Sequence, residues 1–340
     1  MATFFSLVAG DIGIDLGTIN TLVYVDKKGI VINEPSVVAI DINNGDIVSV
    51  GKAAWDMIGK TPGNIVPMRP LEEGVISDYE ITQVMLKYFI DKSSPGFSFL
   101  QSRVIVSIPS GITDVEKRAV EDAVFQSGAR DVLLIEEPLA SAVGAGLPAD
   151  EPKGNMVINI GGGTTEVAVV SLNGMVSSRS IFIGGDLFNQ LITEHVKEEY
   201  NLMIGYNTAE RLKMTIGTVN PDHEEMKSEV SGRDLITGLP KTAIIRSTGI
   251  TRVLLPSIVD IIDGIKSVLE RTPPELSSDI IRDGILFTGG SSRLNGLAEW
   301  ISRAINMKLI LDDNPETSAV SGTGKLLKQF ANLKKTRRLR

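Results

Sequence analysis

The chain has 340 residues, with 34 basic and 42 acidic side chains for a formal net charge of −8, and no cysteine. That length is enough for two domains with cores of ordinary size. The acidic balance excludes a protein that binds nucleic acid over its whole surface, and the lack of cysteine removes disulfide scaffolds, thiolate zinc sites and thiol catalysis together. The charge is uneven, because Lys325 to Arg340 carries seven basic residues and no acidic one. No apolar run approaches the length of a bilayer span, and the opening "MATFFSLVAGD" lacks the basic region of a signal peptide. A cytoplasmic protein is therefore expected. His195 and His223 stand in polar, Glu-rich contexts and read as solvated surface residues.

In chain order, "IGIDLGTINTLVYVDKKGIVI" reads as strand, Gly/Thr turn, strand, Lys-Gly turn and strand. Residues 33–77 are less regular. "RVIVSIPSG" predicts a buried strand, and Thr113 to Glu116 a capping box opening a helix that Gly128 closes. "DVLLIEE" is the next strand, and Pro138 opens a small-residue helix that ends at Gly146. From Met156, "MVINIGGGTTEVAVVSLNGMVSSRSIFI" repeats the opening order, with Asn173-Gly174 as a hairpin signal. After a second irregular stretch, 185–250, Ile258, Ile261, Ile262, Ile265 and Val268 form a helical stripe. "DGILFTGGSSRLNGL" is a strand running into a third Gly-rich turn before a helix. Two copies of one pattern half a chain apart predict duplicated α/β halves, each with a smaller inserted subdomain.

The chemistry lies in the turns. Glycine after Asp15 lets backbone N–H groups converge on one anion, and Thr18 and Thr21 add hydroxyl donors. An aspartate ending a buried strand is well placed to hold a hydrated cation. Alone, this is an ordinary hairpin with a capping aspartate. It is repeated, however, by Gly161 to Thr165 at the equivalent place in the second half. Two such loops can grip a triphosphate from both sides, and the third turn, Thr288 to Ser292, precedes a helix start suited to polar parts of a nucleotide. There is no Walker A sequence and no GxGxxG opening a helix after a strand, which disfavours P-loop and Rossmann proteins.

"GIDLGTINTLVYV", "IEEPLASAVGAGL", "NIGGGTTEVAVVSLNG" and "TGGSSRLNGL" resemble, in order and spacing, the signatures of the actin/Hsp70/hexokinase ATPase superfamily. More closely, with "NEPSVVAI", "GKTPGNIVPMRPLEEGVISDYE", "IGGDLF" and "TAERLKMTIG", the chain is similar to the MreB family of bacterial actins from about residue 10 to 330. The resemblance implies an actin-like fold, with two duplicated α/β domains around a nucleotide cleft. The expected parts are residues 1–32 with 78–147 and 148–184 with 251–330 as large subdomains, 33–77 and 185–250 as small ones, and a basic tail at 331–340. ATP or ADP with Mg2+ is the implied ligand. Carried over, Asp15 and Asn159 hold Mg2+ through water; Gly17, Thr18 and Asn20 form the first phosphate loop, and Gly161, Gly162, Gly163, Thr164 and Thr165 the second. Glu137 matches the carboxylate that positions the attacking water, with Thr164 and Thr165 beside it as catalytic groups. Glu210 and Lys213, three apart on one helix face, meet ribose and adenine, although without the family a surface ion pair is the better reading. Gly289 and Gly290 pass under the adenosine. Two positions depart from the family pattern: Asn159 stands in place of aspartate, and Ser291 in place of a third glycine. The first predicts weaker metal retention or slower hydrolysis.

The resemblance also implies filaments of the chain with itself, assembly on a membrane surface of anionic lipid, and contact with cell-shape proteins. Phe97, Phe99 and Leu100 in "SSPGFSFLQ", and Phe4 and Phe5 near the start, are the expected apolar anchors, with packing against neighbours as the plain alternative. The basic tail is a candidate for added attraction to anionic lipid, at about 1 kcal/mol per basic residue near the surface. A filament-forming ATPase leads over a nucleotide-sensing filament protein with weak turnover. A sugar-kinase-like phosphotransferase would need a second carboxylate motif that is not evident. An Hsp70-like chaperone is expected to need a peptide-binding domain, for which the chain leaves no room.

Overall fold

The computed structural model describes residues 10–93, 102–220 and 222–337. The expected anchors Phe4, Phe5, Phe97, Phe99 and Leu100 lie outside those residues. The chain divides into two compact units: residues 1–152, 170–175 and 316–340 form the first, and 153–169 and 176–315 the second.

In the first unit, β1 (Ile12–Leu16), β2 (Asn20–Val25) and β3 (Gly29–Pro35) form the meander read from the opening sequence. Then come β4 (Val38–Asp41), β5 (Ile47–Val50), the short α1 (Lys52–Trp55) and β6 (Ile65–Met68), where β5, β4 and β6 form a small sheet over Val37, Ala39 and Ala54. The hairpin β7 (Leu71–Glu72) and β8 (Val75–Ile76) leads to α2 (Tyr79–Ser93) and β9 (Arg103–Ile108). Helix α3 (Asp114–Gln126) opens on the expected capping box: Glu116 N–H donates to Thr113 Oγ1 at 3.3 Å, and Thr113 N–H to Glu116 Oε2 at 2.6 Å. Strand β10 (Asp131–Glu136) runs directly into α4 (Glu137–Ala145), which Gly146 ends in the left-handed conformation.

The second unit begins with β11 (Asn155–Ile160), β12 (Thr165–Ser171) and β13 (Gly174–Ile181). The stretch 185–250 is more regular than its sequence suggests. It holds α5 (Gly185–Tyr200), β14 (Leu202–Met203), α6 (Tyr206–Ile216), β15 (Lys227–Asp234) and β16 (Pro240–Arg246), with the three strands in one sheet. Helix α7 (Ser247–Glu270) buries the predicted isoleucine stripe. Then follow α8 (Pro274–Asp283), β17 (Ile285–Thr288), a single 3-10 turn (Gly290–Arg293), α9 (Leu297–Ile305) and β18 (Leu309–Leu311).

The duplication is explicit in the sheets. One has the order β10-β9-β1-β2-β3, the other β18-β17-β11-β12-β13. In each, the first strand of the echo is central, with two further strands on one side and parallel strands on the other. Strands β1 and β11 are almost wholly buried because a central strand covered on both faces has no solvated side.

Two expectations are corrected. Residues 316–330 are expected in the second half from sequence, but α10 (Ser318–Leu326) belongs to the first unit, packed on α4 and β1. The cause is small-residue contact: a Cβ on Gly322 would come within 1.8 Å of the Ala140 carbonyl oxygen, and one on Gly144 within 1.8 Å of that of Ser318. His195, expected at the surface, is only 5% exposed. The helical period aligns it with Phe188 and Ile192 on the inner face of α5, while Glu194, Glu198 and Lys197 occupy other faces. Its ring lies edge-on to Tyr200 at 5.9 Å, and burial lowers its pKa, favouring the neutral imidazole. His223 is exposed, as expected.

The last helix, α11 (Phe330–Arg337), is tied down at its start. Phe330 is buried beneath the Arg103 guanidinium, 5.3 Å from the ring centroid, and Lys334 pairs with Asp131. Lys325 donates to the Val143 and Gly144 carbonyls at the end of α4, where a cation complements the helix dipole. Because the α4–α10 contact is backbone against backbone, Gly322→Ala should lower stability by roughly 2–3 kcal/mol or more. Urea unfolding checks this; a midpoint equal to wild type would show that the contact can relax.

Candidate nucleotide-binding half-sites

Parallel strands end together, so residues late in β1, β9 and β10 share one edge of the first sheet. Asp15 pairs in register with Ser107 of β9, and the Ser107 hydroxyl donates to Asp15 Oδ1 at 2.6 Å. Burial pushes the Asp15 pKa up to about 6, against the lowering effect of that hydrogen bond. A carboxylate held among strand ends with one neutral donor gains most from a cation. Glu137 stands at the same edge, in the first turn of α4 directly after β10.

The turn after β1 is fastened by residues that the sequence alone did not single out. Ser36 Oγ donates to the Gly17 carbonyl at 2.6 Å and lies 2.9 Å from Thr21 Oγ1, while the Gly74 N–H donates to Thr18 Oγ1 at 2.9 Å. Among the described residues, the N–H groups of Gly17 and Thr18 have no acceptor. Asn20 is exposed at the start of β2.

In the second unit Asn159 occupies the place of Asp15, buried and in register with Thr288 of β17. Thr288 Oγ1 donates to Asp312 Oδ2 at 2.6 Å. Gly289 follows with φ +88°, so close over the end of β11 that a Cβ would come within 2.2 Å of Asn159 Oδ1 and 2.4 Å of the Ile160 carbonyl oxygen. Gly290 opens the 3-10 turn.

The turn from Gly161 to Thr165 is held through its carbonyls. Gly161 O accepts the Gly185 N–H at 3.0 Å and the Ser291 hydroxyl at 2.7 Å, and Gly162 O accepts the Asp186 N–H at 2.8 Å. Gly161 N–H donates to Thr164 O at 2.8 Å, and the Thr165 hydroxyl to Ile183 O at 2.7 Å, so Thr165 anchors the turn. Among the described residues, the N–H groups of Gly162, Gly163 and Thr164 have no acceptor. Three successive amides of that kind form an anion-binding concavity. On α6, Lys213 Nζ donates to Gly185 O at 2.9 Å and so faces this turn, with Glu210 partly buried one helical step before it. Tyr206 donates to Asp186 at the start of α5. Ser36, Gly74, Ser107 and Tyr206 are the site residues that the sequence reading missed. Only Ser107, a polar residue within the apolar run "RVIVSI", gave a local signal.

Paired sheets, each ending its first strand in a glycine- and threonine-rich turn, define an actin-like fold. The crystal structure of MreB5 of Spiroplasma citri bound to AMPPNP is similar with a TM-score of 0.91 at 36% identity, covering 97% of this chain and 99% of that one. The family model described as MreB/Mbl protein matches residues 9–335, and the chain belongs to that family. The cell shape-determining protein Mbl of Bacillus subtilis (strain 168) is 45% identical over 329 residues, covering 97% of this chain and 99% of Mbl. The cell shape-determining protein MreB of Escherichia coli (strain K12) is 44% identical over 332 residues, 96% of each chain.

The raised pKa of Asp15 has a sign that can be tested without ligand. The folded state holds this proton to about pH 6, while the unfolded chain releases it near pH 4. Ionisation therefore costs stability as pH rises through that window, roughly 2–3 kcal/mol in all. Asp15→Asn should remove the cost, raising the melting temperature of nucleotide-free protein at pH 7.5 but not at pH 4. A variant less stable than wild type at pH 7.5 would contradict this.

Proposed function

We propose that this MreB/Mbl-family protein binds ATP, assembles into filaments on the membrane to support cell shape, and couples ATP hydrolysis, slowed by Asn159, to polymer dynamics. The observation that carries the nucleotide reading is the row of unpartnered amides at Gly162, Gly163 and Thr164, with its counterpart at Gly17 and Thr18. Amides fixed in place by the carbonyls behind them can take up phosphate oxygens without reorganising. The MreB5 structure containing AMPPNP supports the same ligand class.

The donor set fits a hydrated Mg2+ as well. Magnesium keeps several waters and takes one or two carboxylates, and Asp15 is a carboxylate whose burial favours a cation beside it. Asp15 would hold it with the neutral Asn159, and the ion would supply charge neutralisation on the phosphate oxygens. Glu137, at the start of α4, accepts a hydrogen bond from the attacking water and orients it as the phosphoryl group leaves. Glu210 and Lys213 serve the ribose and adenine, and Gly289 and Gly290 leave room for the adenosine. With one formal charge where the family has two, cation retention is the weak point. Asn159→Asp should therefore raise Mg2+-dependent phosphate release several-fold; no gain would remove the charge argument.

A nucleotide-sensing filament with weak turnover is the second reading, favoured by Asn159. Electron microscopy with ATP, ADP and no nucleotide, paired with phosphate release, separates the two. Filaments without turnover select sensing, filaments absent in all three states sink the assembly proposal, and turnover that needs an added sugar overturns both readings.

Membrane attachment is assigned to Phe4, Phe5, Phe97, Phe99 and Leu100, assisted by the basic tail on anionic lipid. Because Phe330 is buried and Lys334 is paired, the tail must be shortened only beyond Lys334. Removing residues 335–340 should weaken pelleting with anionic liposomes at low salt and abolish its salt dependence. Salt-insensitive binding that survives the truncation rules the tail out.

A further inference from the structure

Ser291 is a departure from the family's glycine, and its hydroxyl is engaged. The third Gly-rich turn folds on itself, with Ser292 N–H donating to Gly289 O at 3.0 Å and Leu294 N–H to Ser291 O at 3.1 Å. That leaves the Ser291 side chain to cross 130 positions of sequence and donate to Gly161 O at 2.7 Å. Gly161 is the first residue of the second phosphate turn, and its carbonyl belongs to the peptide unit that carries the Gly162 N–H. Rotation of that peptide would swing the first of the three unpartnered amides away from its present direction. The Gly185 N–H already holds the same oxygen at 3.0 Å. Ser291 thus supplies a second donor, from a different element. The junction is crowded: a Cβ on Gly185 would come within 2.7 Å of Ser291 Oγ and 3.1 Å of Lys213 Nζ.

We propose that Ser291 is a positioning residue that latches the adenosine-side turn, Gly289–Arg293, to the second phosphate turn, so that contact with the nucleoside is transmitted to the amides that hold phosphate. This rests on the ATP reading given above. A glycine at 291 has no hydroxyl and leaves the Gly161 carbonyl with the Gly185 donor alone. The serine stiffens the phosphate turn, and ATP is held longer at a site where Asn159 contributes no charge.

The test compares wild type, Ser291→Ala and Ser291→Gly as full-length protein. Three readouts are taken: hydrogen exchange of peptides spanning 157–168 without nucleotide, ATP affinity by calorimetry with Mg2+, and the nucleotide-free melting temperature. Loss of one neutral hydrogen bond should speed exchange in that turn and weaken ATP binding by about fivefold each, with little change in melting temperature. Exchange in 157–168 indistinguishable from wild type overturns the latch. So does faster exchange throughout the second unit with a matching fall in melting temperature, the mark of a serine that only helps folding. Faster turn exchange with unchanged ATP affinity overturns the transmission to phosphate. Should wild type itself bind no ATP, the nucleotide reading fails, and the exchange result still decides whether Ser291 fixes the turn.

Discussion

The carbonyl of Gly161 stands where β11 has left its sheet, so its hydrogen bonds must come from outside the ladder. A buried backbone acceptor without a partner is costly, and here the partners come from α5 and from the turn after β17. That requirement orders much of the second unit. Gly184 and Gly185 must lack side chains for α5 to begin this close to the turn, since a Cβ on Gly184 would sit 2.5 Å from the Gly162 carbonyl oxygen. Lys213 is drawn in from α6 by the Gly185 carbonyl. The carbonyls of Gly161, Gly162 and Thr164 each serve a donor, and the amides of Gly162, Gly163 and Thr164 are the groups left over. The anion affinity proposed for this turn would thus be a by-product of satisfying its acceptors.

The first unit meets the same requirement with other residues. Ser36 does for the Gly17 carbonyl what Ser291 does for Gly161, and Ser107 stands opposite Asp15 as Thr288 stands opposite Asn159. The halves differ in charge. Asp15 is an ionisable group made reluctant to ionise by its surroundings, whereas Asn159 is neutral at every pH.

Much of this was legible in the sequence. The echo of "DLGTINT" in "NIGGGTTEV" foretold two equivalent sheets, and Thr113 with Glu116, Pro138 and Gly146 marked helix ends by local chemistry that a single sequence carries. What was not legible depended on distant residues. Nothing near Ser36 says that its hydroxyl will meet a carbonyl nineteen positions earlier. His195 reads as polar because its sequence neighbours are glutamates, but helical geometry sends those neighbours to other faces and seats the imidazole beside Gly249, where a Cβ would come within 2.3 Å of Nε2.

The placement of α10 teaches the same lesson at the scale of domains. Read linearly, Ser318 to Leu326 continues the second half, since it follows β18 after a short connection. Its composition is the better guide. Ser-Ala-Val-Ser-Gly-Thr-Gly is a surface on which a second helix backbone can come close, and α4, "PLASAVGAG", is another. Helices of small residues pack through their backbones, gaining dispersion contacts that bulky side chains would prevent. The contact fixes α4 from behind, and Glu137 in its first turn inherits that rigidity. The helix that carries the residue assigned to the attacking water is thus packed against one some 180 positions further along the chain, which no reading of the motif around Glu137 could have supplied.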